Sequence, residues 1–355
     1  MQLKSDGIFG LESITINQNA MLNEFRQDIV TGEWVLYATN RIKGHIKTET
    51  EDKPSSISEC PFENPQKSGN EKPILILDKG QKVEWIEDVE WTTQVLPNKF
   101  PALTHGKCGQ IKIDGPFNSF DASGLHELVI TRSHDRHFAQ FTNDETLEVL
   151  RCYKERLEQM AKDDCGEYVF IFHNHGKKAG ASQYHNHSQI MSLPIIPHNV
   201  IKNIRGAEEF YKKNDQKVFT ALLNWELRDR KRIIYENEKF IALCPYVSKD
   251  LYEIKIFPKD DHYDFRQTDV ADLVYFADAL NKVLASLNEK LGNPDYNFYI
   301  NTVPISNDSS VNHEYFRWHL DIMPRVNVLG GVELGVSVYV NMVDPNDAAE
   351  LLRIR

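Results

Sequence analysis

Two histidines and a glutamine, His185, His187 and Gln189, occupy alternate positions in the run SQYHNHSQIMSLPIIP (182–197). The residues after Gln189 are mostly apolar, which is typical of a buried β-strand. Alternate side chains of a strand share one face and lie about 6.6 Å apart. We therefore predict a strand that presents all three groups on one face, a row suited to a small anionic group. The competing interpretation is a polar edge strand with solvated histidines.

The types of these residues suit phosphoryl chemistry. A neutral imidazole is a good nucleophile near pH 7, and its attack on phosphorus gives a phosphoramidate that divides one difficult transfer into two steps. Gln189 is able to donate a hydrogen bond to a phosphate oxygen while staying neutral. Ser182 is a further donor, and the small residues of GASQ let backbone approach a ligand closely.

The bulk composition limits the class of protein. The chain has 355 residues, 41% of them hydrophobic and 26% charged, as in ordinary globular proteins. Its formal charge of −11 argues against general nucleic-acid binding, which needs a basic surface. Apolar runs stay short of the roughly 18 residues of a membrane span, and the first ten residues lack signal-peptide features. We expect a cytoplasmic protein with no nucleic-acid or membrane partner.

The cysteines point the same way. They are odd in number and irregularly spaced, which fits a reducing cytosol better than a disulfide framework. They are Cys60, Cys108, Cys152, Cys165 and Cys244.

The chain contains a faint duplication. HELVITRSHDRHF (126–138) resembles YEIKIFPKDDHYDF (252–265), and each run is followed by a helical pattern and two strand-like runs. Thr142 and Glu145 form a capping-box pattern at the start of the first helix, and Gly292 is a C-cap for the second. The last strands, HNHSQIM and FRWHLDIM, align His187 with His319. Each unit thus reads strand, loop, helix, strand, strand.

This order predicts an α+β fold with mainly antiparallel sheets and covering helices. Residues before about 120 add three predicted strands, EWVLYAT, PILILD and VEWIEDVEW, and a polar loop at 47–59.

In this motif and in several other runs, the chain resembles the galactose-1-phosphate uridylyltransferase family, the transferase branch of the histidine-triad superfamily. The family pattern is Gly-Ala-Ser or Gly-Cys-Ser followed by His-Pro-His-x-Gln. Further similar runs are FRQDIVTGEWVLYATNR (25–41), CPFE (60–63), VLPNKFPAL (95–103), FHNHGKKAGAS (172–182) and GGVELGVSVYVNMVDPNDAAELLR (330–353). The resemblance implies tandem histidine-triad repeats: residues 1–200 with the catalytic motif, and a degenerate repeat over 201–355.

The resemblance also implies a ping-pong mechanism. His187 would attack the α-phosphate of a nucleoside diphosphate sugar, and a sugar 1-phosphate would collect the nucleotidyl group. Gln189 would bind the transferred phosphoryl group and Ser182 the leaving phosphate, while the carbonyl of His185 fixes the tautomer of the nucleophile. The family's nucleotide and phosphate contacts correspond to Arg41, Asn98, Phe100, Asn174 and Gly180. The implied assembly is a homodimer, with Arg41 reaching across it.

Family members often hold zinc with a Cys-Pro-Phe-Cys pair, a loop histidine and the first motif histidine. Here Cys60, His134 and His185 correspond, but Glu63 replaces the second cysteine. Sulfur, nitrogen and oxygen donors still suit a tetrahedral structural zinc site. His137 competes with His134 for the loop position, and Cys60 is otherwise a small buried hydrophobe.

Departures from the family pattern leave the substrate open. Asn186 replaces a common proline, Gly44 stands where an arginine is frequent, and Gly335, Val336 and Ser337 replace a Gly-Thr-Gly. The leading prediction is exchange of UMP between UDP-glucose and a hexose 1-phosphate such as galactose 1-phosphate. The alternative is an adenylyltransferase or phosphorylase acting on ADP-glucose, since some plant relatives with a similar His-x-His-Ser-Gln run transfer adenylyl groups. A non-catalytic nucleotide- or zinc-binding protein is a third possibility, and a hydrolase is disfavoured by Gln189.

Overall fold

The structure, a computed structural model, describes residues 23–39, 41, 56–106, 108–306 and 312–354. Most of the predicted loop at 47–59 and Gly44 lie outside these residues. The strands are β1 Asn23–Gln27, β2 Trp34–Ala38, β3 Leu75–Asp78, β4 Gln81–Lys82, β5 Thr93–Pro97, β6 Lys112–Asp114, β7 Phe117–Ser119, β8 Leu125–Thr131, β9 Tyr168–His175, β10 His187–Leu193, β11 Ile233–Glu236, β12 Phe240–Leu243, β13 Ile254–Pro258, β14 Tyr296–Asn301, β15 His319–Pro324 and β16 Tyr339–Asn341. The helices are α1 Asn143–Met160, α2 His198–Asn214, α3 Val218–Asp229, α4 Leu273–Leu291, α5 Gly331–Val336 and α6 Pro345–Leu352.

An eleven-stranded sheet forms the centre of the described structure. Its order is β11-β12-β13-β15-β14-β9-β10-β8-β5-β3-β4, and every pairing in it is antiparallel. The unit β8-α1-β9-β10 recurs as β13-α4-β14-β15, and the two units meet where β9 pairs with β14. The predicted α+β fold with two related units and a mainly antiparallel sheet is confirmed.

One face of the sheet is covered by α1 and α4, which pack against each other. The predicted capping box is present, since Thr142 accepts a hydrogen bond from the Glu145 amide and the Glu145 side chain returns to the Thr142 amide. Gly292 ends α4 at φ 70°, a conformation that glycine adopts without steric cost. Both helices turn apolar residues toward the strands, so this layer holds the largest core cluster.

A second, small sheet joins strands that are far apart in the sequence. β16 pairs parallel with β2, and β2 pairs antiparallel with β1, so residues near the end of the chain stabilise strands near its start. The division into residues 1–200 and 201–355 stays a prediction, and its boundary lies inside α2.

Two sequence-based expectations are wrong. Cys108 and Cys165 form a disulfide with their Cα atoms 5.0 Å apart, although the cysteine pattern argued against one. The run VEWIEDVEW (83–91) is not a strand: Asp88 takes a left-handed turn conformation at φ 58°, and Val83, Trp85 and Val89 pack onto a small core cluster instead. Among the described residues, no helix combines the length and the apolar character that a membrane span needs.

Candidate active site and metal centre

β10 begins at His187 and carries the central residues of the motif. It lies between β8 and β9, two positions from the junction of the two units. His187 is 5% exposed, and its Nδ1 lies 2.9 Å from the carbonyl oxygen of His185. Because a carbonyl only accepts, Nδ1 carries the proton and Nε2 keeps its lone pair. Burial lowers the pKa of His187, which favours the neutral ring.

The predicted strand was expected to include His185, and this is wrong by two residues. His185 Nε2 lies 2.6 Å from the carbonyl oxygen of Thr131, at the end of β8. Its Nδ1 faces Cys60 Sγ at 3.4 Å, so the ring turns away from the row predicted for β10. Burial lowers the pKa of His185 to about 4.

The opposite face of β10 anchors the strand to the helix layer. The hydroxyl of Ser188 is hydrogen-bonded to Tyr153 of α1 and lies 3.1 Å from Nδ1 of His173 on β9. Ile190, two positions on, is fully buried in the same core. Since side chains alternate along a strand, this anchoring leaves His187 and Gln189 on the other face.

Gln189 contacts a histidine that the sequence reasoning missed. Its Oε1 lies 2.9 Å from Nε2 of His126 on β8. In the β8–β10 register His126 is opposite Met191, so it is the diagonal neighbour of Gln189. The available signal was a histidine near the start of a strand whose centre is apolar, but the side chain that it contacts on the next strand depends on the sheet order.

The predicted nucleotide segment lies next to His126. Asn98 follows β5, and its backbone N–H donates to the backbone carbonyl oxygen of His126 at 2.8 Å. Its side-chain Oδ1 accepts from the Phe100 amide at 2.9 Å. Phe100 is 82% exposed, so its ring face is available to a ligand. Asn98, His126 and Gln189 therefore form one continuous group.

Asn174 and Gly180 are also neighbours, because a side chain added at Gly180 would lie 3.9 Å from Asn174 Nδ2. Gly180 has φ 85°, which favours glycine. Asn297 of the second unit donates to Asn174 Oδ1 and to the Ala179 carbonyl, each at 2.7 Å. Sequence reasoning missed Asn297, which reaches this site only through the β9–β14 pairing.

Ser182 and Arg41 lie at exposed positions outside the strands. Ser182 is exposed in the irregular segment between Gly180 and His187, and Arg41 is exposed beyond β2. Their contacts with phosphate stay predictions.

Cys60, Glu63, His134 and His185 form one cluster whose ligand atoms all lie within 4.8 Å of one another. Glu63 Oε1 lies 3.1 Å from His134 Nδ1 and 3.5 Å from His185 Nδ1. Of the two candidate loop histidines, His134 is the one that lies in this cluster. His137 instead packs against His175, with the two rings tilted by 37° and their centroids 4.2 Å apart.

The four residues fit a metal ion. The buried Glu63 Oε1 lies next to the His134 and His185 nitrogens, but no contact among the described residues has the geometry of a hydrogen bond to it. Its other carboxylate oxygen and its backbone carbonyl accept from Arg132. His185 directs Nε2 at the Thr131 carbonyl, so Nδ1 presents its lone pair to the cluster. Tetrahedral zinc takes such a set of sulfur, nitrogen and oxygen donors at about 2.0–2.3 Å.

The duplicated sheet and the His-x-His-x-Gln motif at the start of β10 define a fold of the histidine-triad type. The family described as "Galactose-1-phosphate uridyl transferase, N-terminal domain" matches residues 12–197, and "Domain of unknown function (DUF4921)" matches residues 120–354. The chain belongs to the galactose-1-phosphate uridylyltransferase family, and it is an enzyme of the transferase and phosphorylase group.

Two curated relatives match almost the whole chain. An ADP-glucose phosphorylase from Arabidopsis thaliana is 28% identical over 93% of this chain and 92% of its own length. A galactose-1-phosphate uridylyltransferase from Thermotoga maritima is 26% identical over 93% and 98%, respectively. The crystal structure of an ADP-glucose phosphorylase from A. thaliana with bound ADP-glucose is 27% identical, with a TM-score of 0.76 over 94% of this chain and 99% of that one.

Proposed function

We propose that the chain transfers a nucleotidyl group from a nucleoside diphosphate sugar to a phosphate-bearing acceptor, with His187 as the carrier. Nε2 of His187 forms a bond to the α-phosphorus, the bond from that phosphorus to the bridging oxygen breaks, and sugar 1-phosphate leaves with the electron pair. An acceptor phosphate oxygen then attacks the same phosphorus. The P–N bond breaks and the neutral imidazole is regenerated.

The observation that carries this proposal is the hydrogen bond between His187 Nδ1 and the His185 carbonyl at 2.9 Å. The backbone itself selects the tautomer in which Nε2 is the nucleophile, and the same bond stabilises the ring once Nε2 is bonded to phosphorus. Gln189 serves as a neutral donor to the transferred phosphoryl group, and Ser182 binds the leaving phosphate. Nucleotide and phosphate contacts come from Arg41, Asn98, Phe100, Asn174 and Gly180.

ADP-glucose is the first candidate donor, with inorganic phosphate as acceptor. Two observations favour it. The chain is similar to an ADP-glucose phosphorylase over almost its whole length, and its fold is similar to the crystal structure of an ADP-glucose phosphorylase with bound ADP-glucose. The second candidate is exchange of UMP between UDP-glucose and galactose 1-phosphate. It is favoured by the match to 98% of a galactose-1-phosphate uridylyltransferase.

Zinc is the metal we propose for the cluster of Cys60, Glu63, His134 and His185. Its role is structural, because four protein ligands leave no open position. With zinc bound, Cys60, Glu63, His134 and His185 would hold the segment before β10 close to the end of β8, and so would fix the His185 carbonyl that orients His187. We further propose a homodimer, as the family resemblance implies, and a cytoplasmic location, as the composition indicates.

The test is covalent labelling with ADP-glucose and UDP-glucose, each carrying ³²P in the α-phosphate. The same donors with ¹⁴C in the glucose serve as controls, since the sugar leaves in the first step. We expect one ³²P label per chain, no ¹⁴C label, and the acid lability of a P–N bond. Peptide mapping should locate the label on His187, and His187→Ala should abolish it.

His319 provides a matched control in the second unit. Its Nδ1 lies 2.9 Å from the Arg317 carbonyl, the same local arrangement as at His187. However, Asp321 stands where Gln189 stands in the first unit. Its Oδ1 lies 3.5 Å from His319 Nε2 and 2.7 Å from Lys255 Nζ, so a carboxylate held in an ion pair takes the place of the neutral amide donor. His319→Ala should therefore keep the label. A label on His319, or a fully labelled His187→Ala variant, would refute the proposal.

A further inference from the structure

His126 lies between the segment that follows β5 and Gln189, the residue proposed to bind the transferred phosphoryl group. The amide of Ala102 faces His126 Nδ1 at 3.1 Å, and Gln189 Oε1 faces Nε2 at 2.9 Å. The ring is partly buried. One imidazole thus connects a backbone amide on one side with a side-chain amide on the other.

The contact with Ala102 determines the tautomer of His126. A backbone N–H only donates, so Nδ1 accepts and carries no proton. In the neutral ring the proton is then on Nε2. Asn98 also approaches this nitrogen, but the atom that faces it is Nδ2, a donor, because Asn98 Oδ1 accepts from the Phe100 amide. Gln189 Oε1 is the acceptor that remains for the Nε2 proton.

This hydrogen bond decides which way the Gln189 amide points. With Oε1 held by His126, the –NH₂ group is directed away from the ring and donates to a phosphate oxygen. A flipped amide would instead turn its carbonyl oxygen toward the anionic phosphoryl group, where the two oxygens repel each other. The orientation of Gln189 therefore depends on a proton that the backbone of Ala102 has positioned.

We propose that His126 is the positioning residue of the transfer reaction. It acts through Gln189, and it links the 98–102 segment to the phosphoryl site. This inference rests on the proposed nucleotidyl transfer. It goes further by assigning the orientation of Gln189, and hence the rate of transfer, to a residue outside the His-x-His-x-Gln motif.

The activity test is a double-mutant cycle on the single-turnover rate of His187 labelling at saturating donor. Loss of one preorganised donor typically lowers a rate about 10²- to 10³-fold, so Gln189→Ala should fall in that range. His126→Leu, which leaves the amide free to flip, should lower the rate about 10- to 100-fold. His126→Gln keeps an N–H donor and should recover most of the rate, whereas His126→Glu, an acceptor, should not. In the Gln189→Ala background, His126→Leu should have no further effect.

The outcomes separate the two proposals. If His126→Leu slows labelling equally with and without Gln189, His126 acts independently and the inference is wrong. If the native chain forms no adduct, the proposed function fails, and the hydrogen bond by which His126 orients Gln189 is then decided separately by NMR. Long-range ¹H–¹⁵N correlation of the His126 ring should show a protonated Nε2 and an unprotonated Nδ1. The opposite tautomer overturns it. Equal urea midpoints exclude a folding defect, and His126→Glu replaces His126→Leu if that variant does not fold.

Discussion

Removing Arg156 should expose how strongly β8 depends on one buried ion pair. Arg156 of α1 holds the carboxylate of Glu127 through two contacts, Nε to Oε2 at 2.6 Å and Nη2 to Oε1 at 2.5 Å. The side chains are only 8% and 3% exposed, respectively. Glu127 is adjacent to His126, so the pair also stabilises the strand that supports Gln189. The change that tests it is Arg156→Met.

The expected cost follows from burial and charge. Two unit charges about 4 Å apart attract by roughly 4 kcal/mol at an effective dielectric constant of about 20. Truncating one partner of a buried pair leaves a desolvated charge and typically costs about 3–5 kcal/mol. We therefore expect Arg156→Met to lower the free energy of unfolding by about 4 kcal/mol. Replacing both residues by Met should cost far less, because no charge stays buried.

The assay is urea unfolding at neutral pH, with the slope of each transition compared so that only stability changes are interpreted. Lys67→Met is the matched control, since Lys67 and Asp88 form an ion pair that is 69% and 74% exposed. Exposed pairs contribute at most about 1 kcal/mol. If Arg156→Met loses no more than Lys67→Met, or if the double replacement is as destabilising as the single one, the reasoning from burial is wrong.

Three further predictions concern the metal, acid and the disulfide. Elemental analysis should find about one zinc per chain. Cys60→Ala should lower both the metal content and the melting temperature, whereas Glu63→Cys should keep both. A metal-free chain of full stability would show that the cluster is empty. Burial alone would raise the pKa of Glu33, but Lys249 and Lys202 lower it to about 2. Its contribution to stability is therefore complete above the pKa of the unfolded chain, near 4.5, and is lost as the pH falls toward 2. Glu33→Gln should flatten the pH dependence of the urea midpoint in this range. An unchanged pH dependence would contradict the assignment. From the 57-residue separation of the paired cysteines, Cys165→Ser should lower the free energy of unfolding by up to roughly 4 kcal/mol under oxidising conditions. With reductant, the variant and the native chain should be equally stable. Equal stability without reductant would mean that the bond does not form.

The sequence alone determined the features that depend on near neighbours. The α1 capping box needs only Thr142 and Glu145, three residues apart, and the end of α4 needs only a glycine able to adopt positive φ. The order of strands and helices follows from periodicity within short runs, and the duplication follows from the similarity of two such runs, 126–138 and 252–265. The His-x-His-x-Gln spacing likewise predicted a strand with functional groups on one face, although the strand begins only at the second histidine.

Only the tertiary structure decided which distant residues meet. Cys60 and His185 are 125 residues apart, and Cys108 and Cys165 are 57 apart, so their proximity depends on the strand order and on the loops between strands. The choice of His134 over His137 depends on a few ångströms in one loop, which spacing does not specify. The contact of His126 with Gln189 needs the β8–β10 register, where a slip of one residue would turn either side chain to the opposite face. Local sequence patterns specify elements and faces, whereas a site made from several strands exists only when their pairing and register bring those faces together.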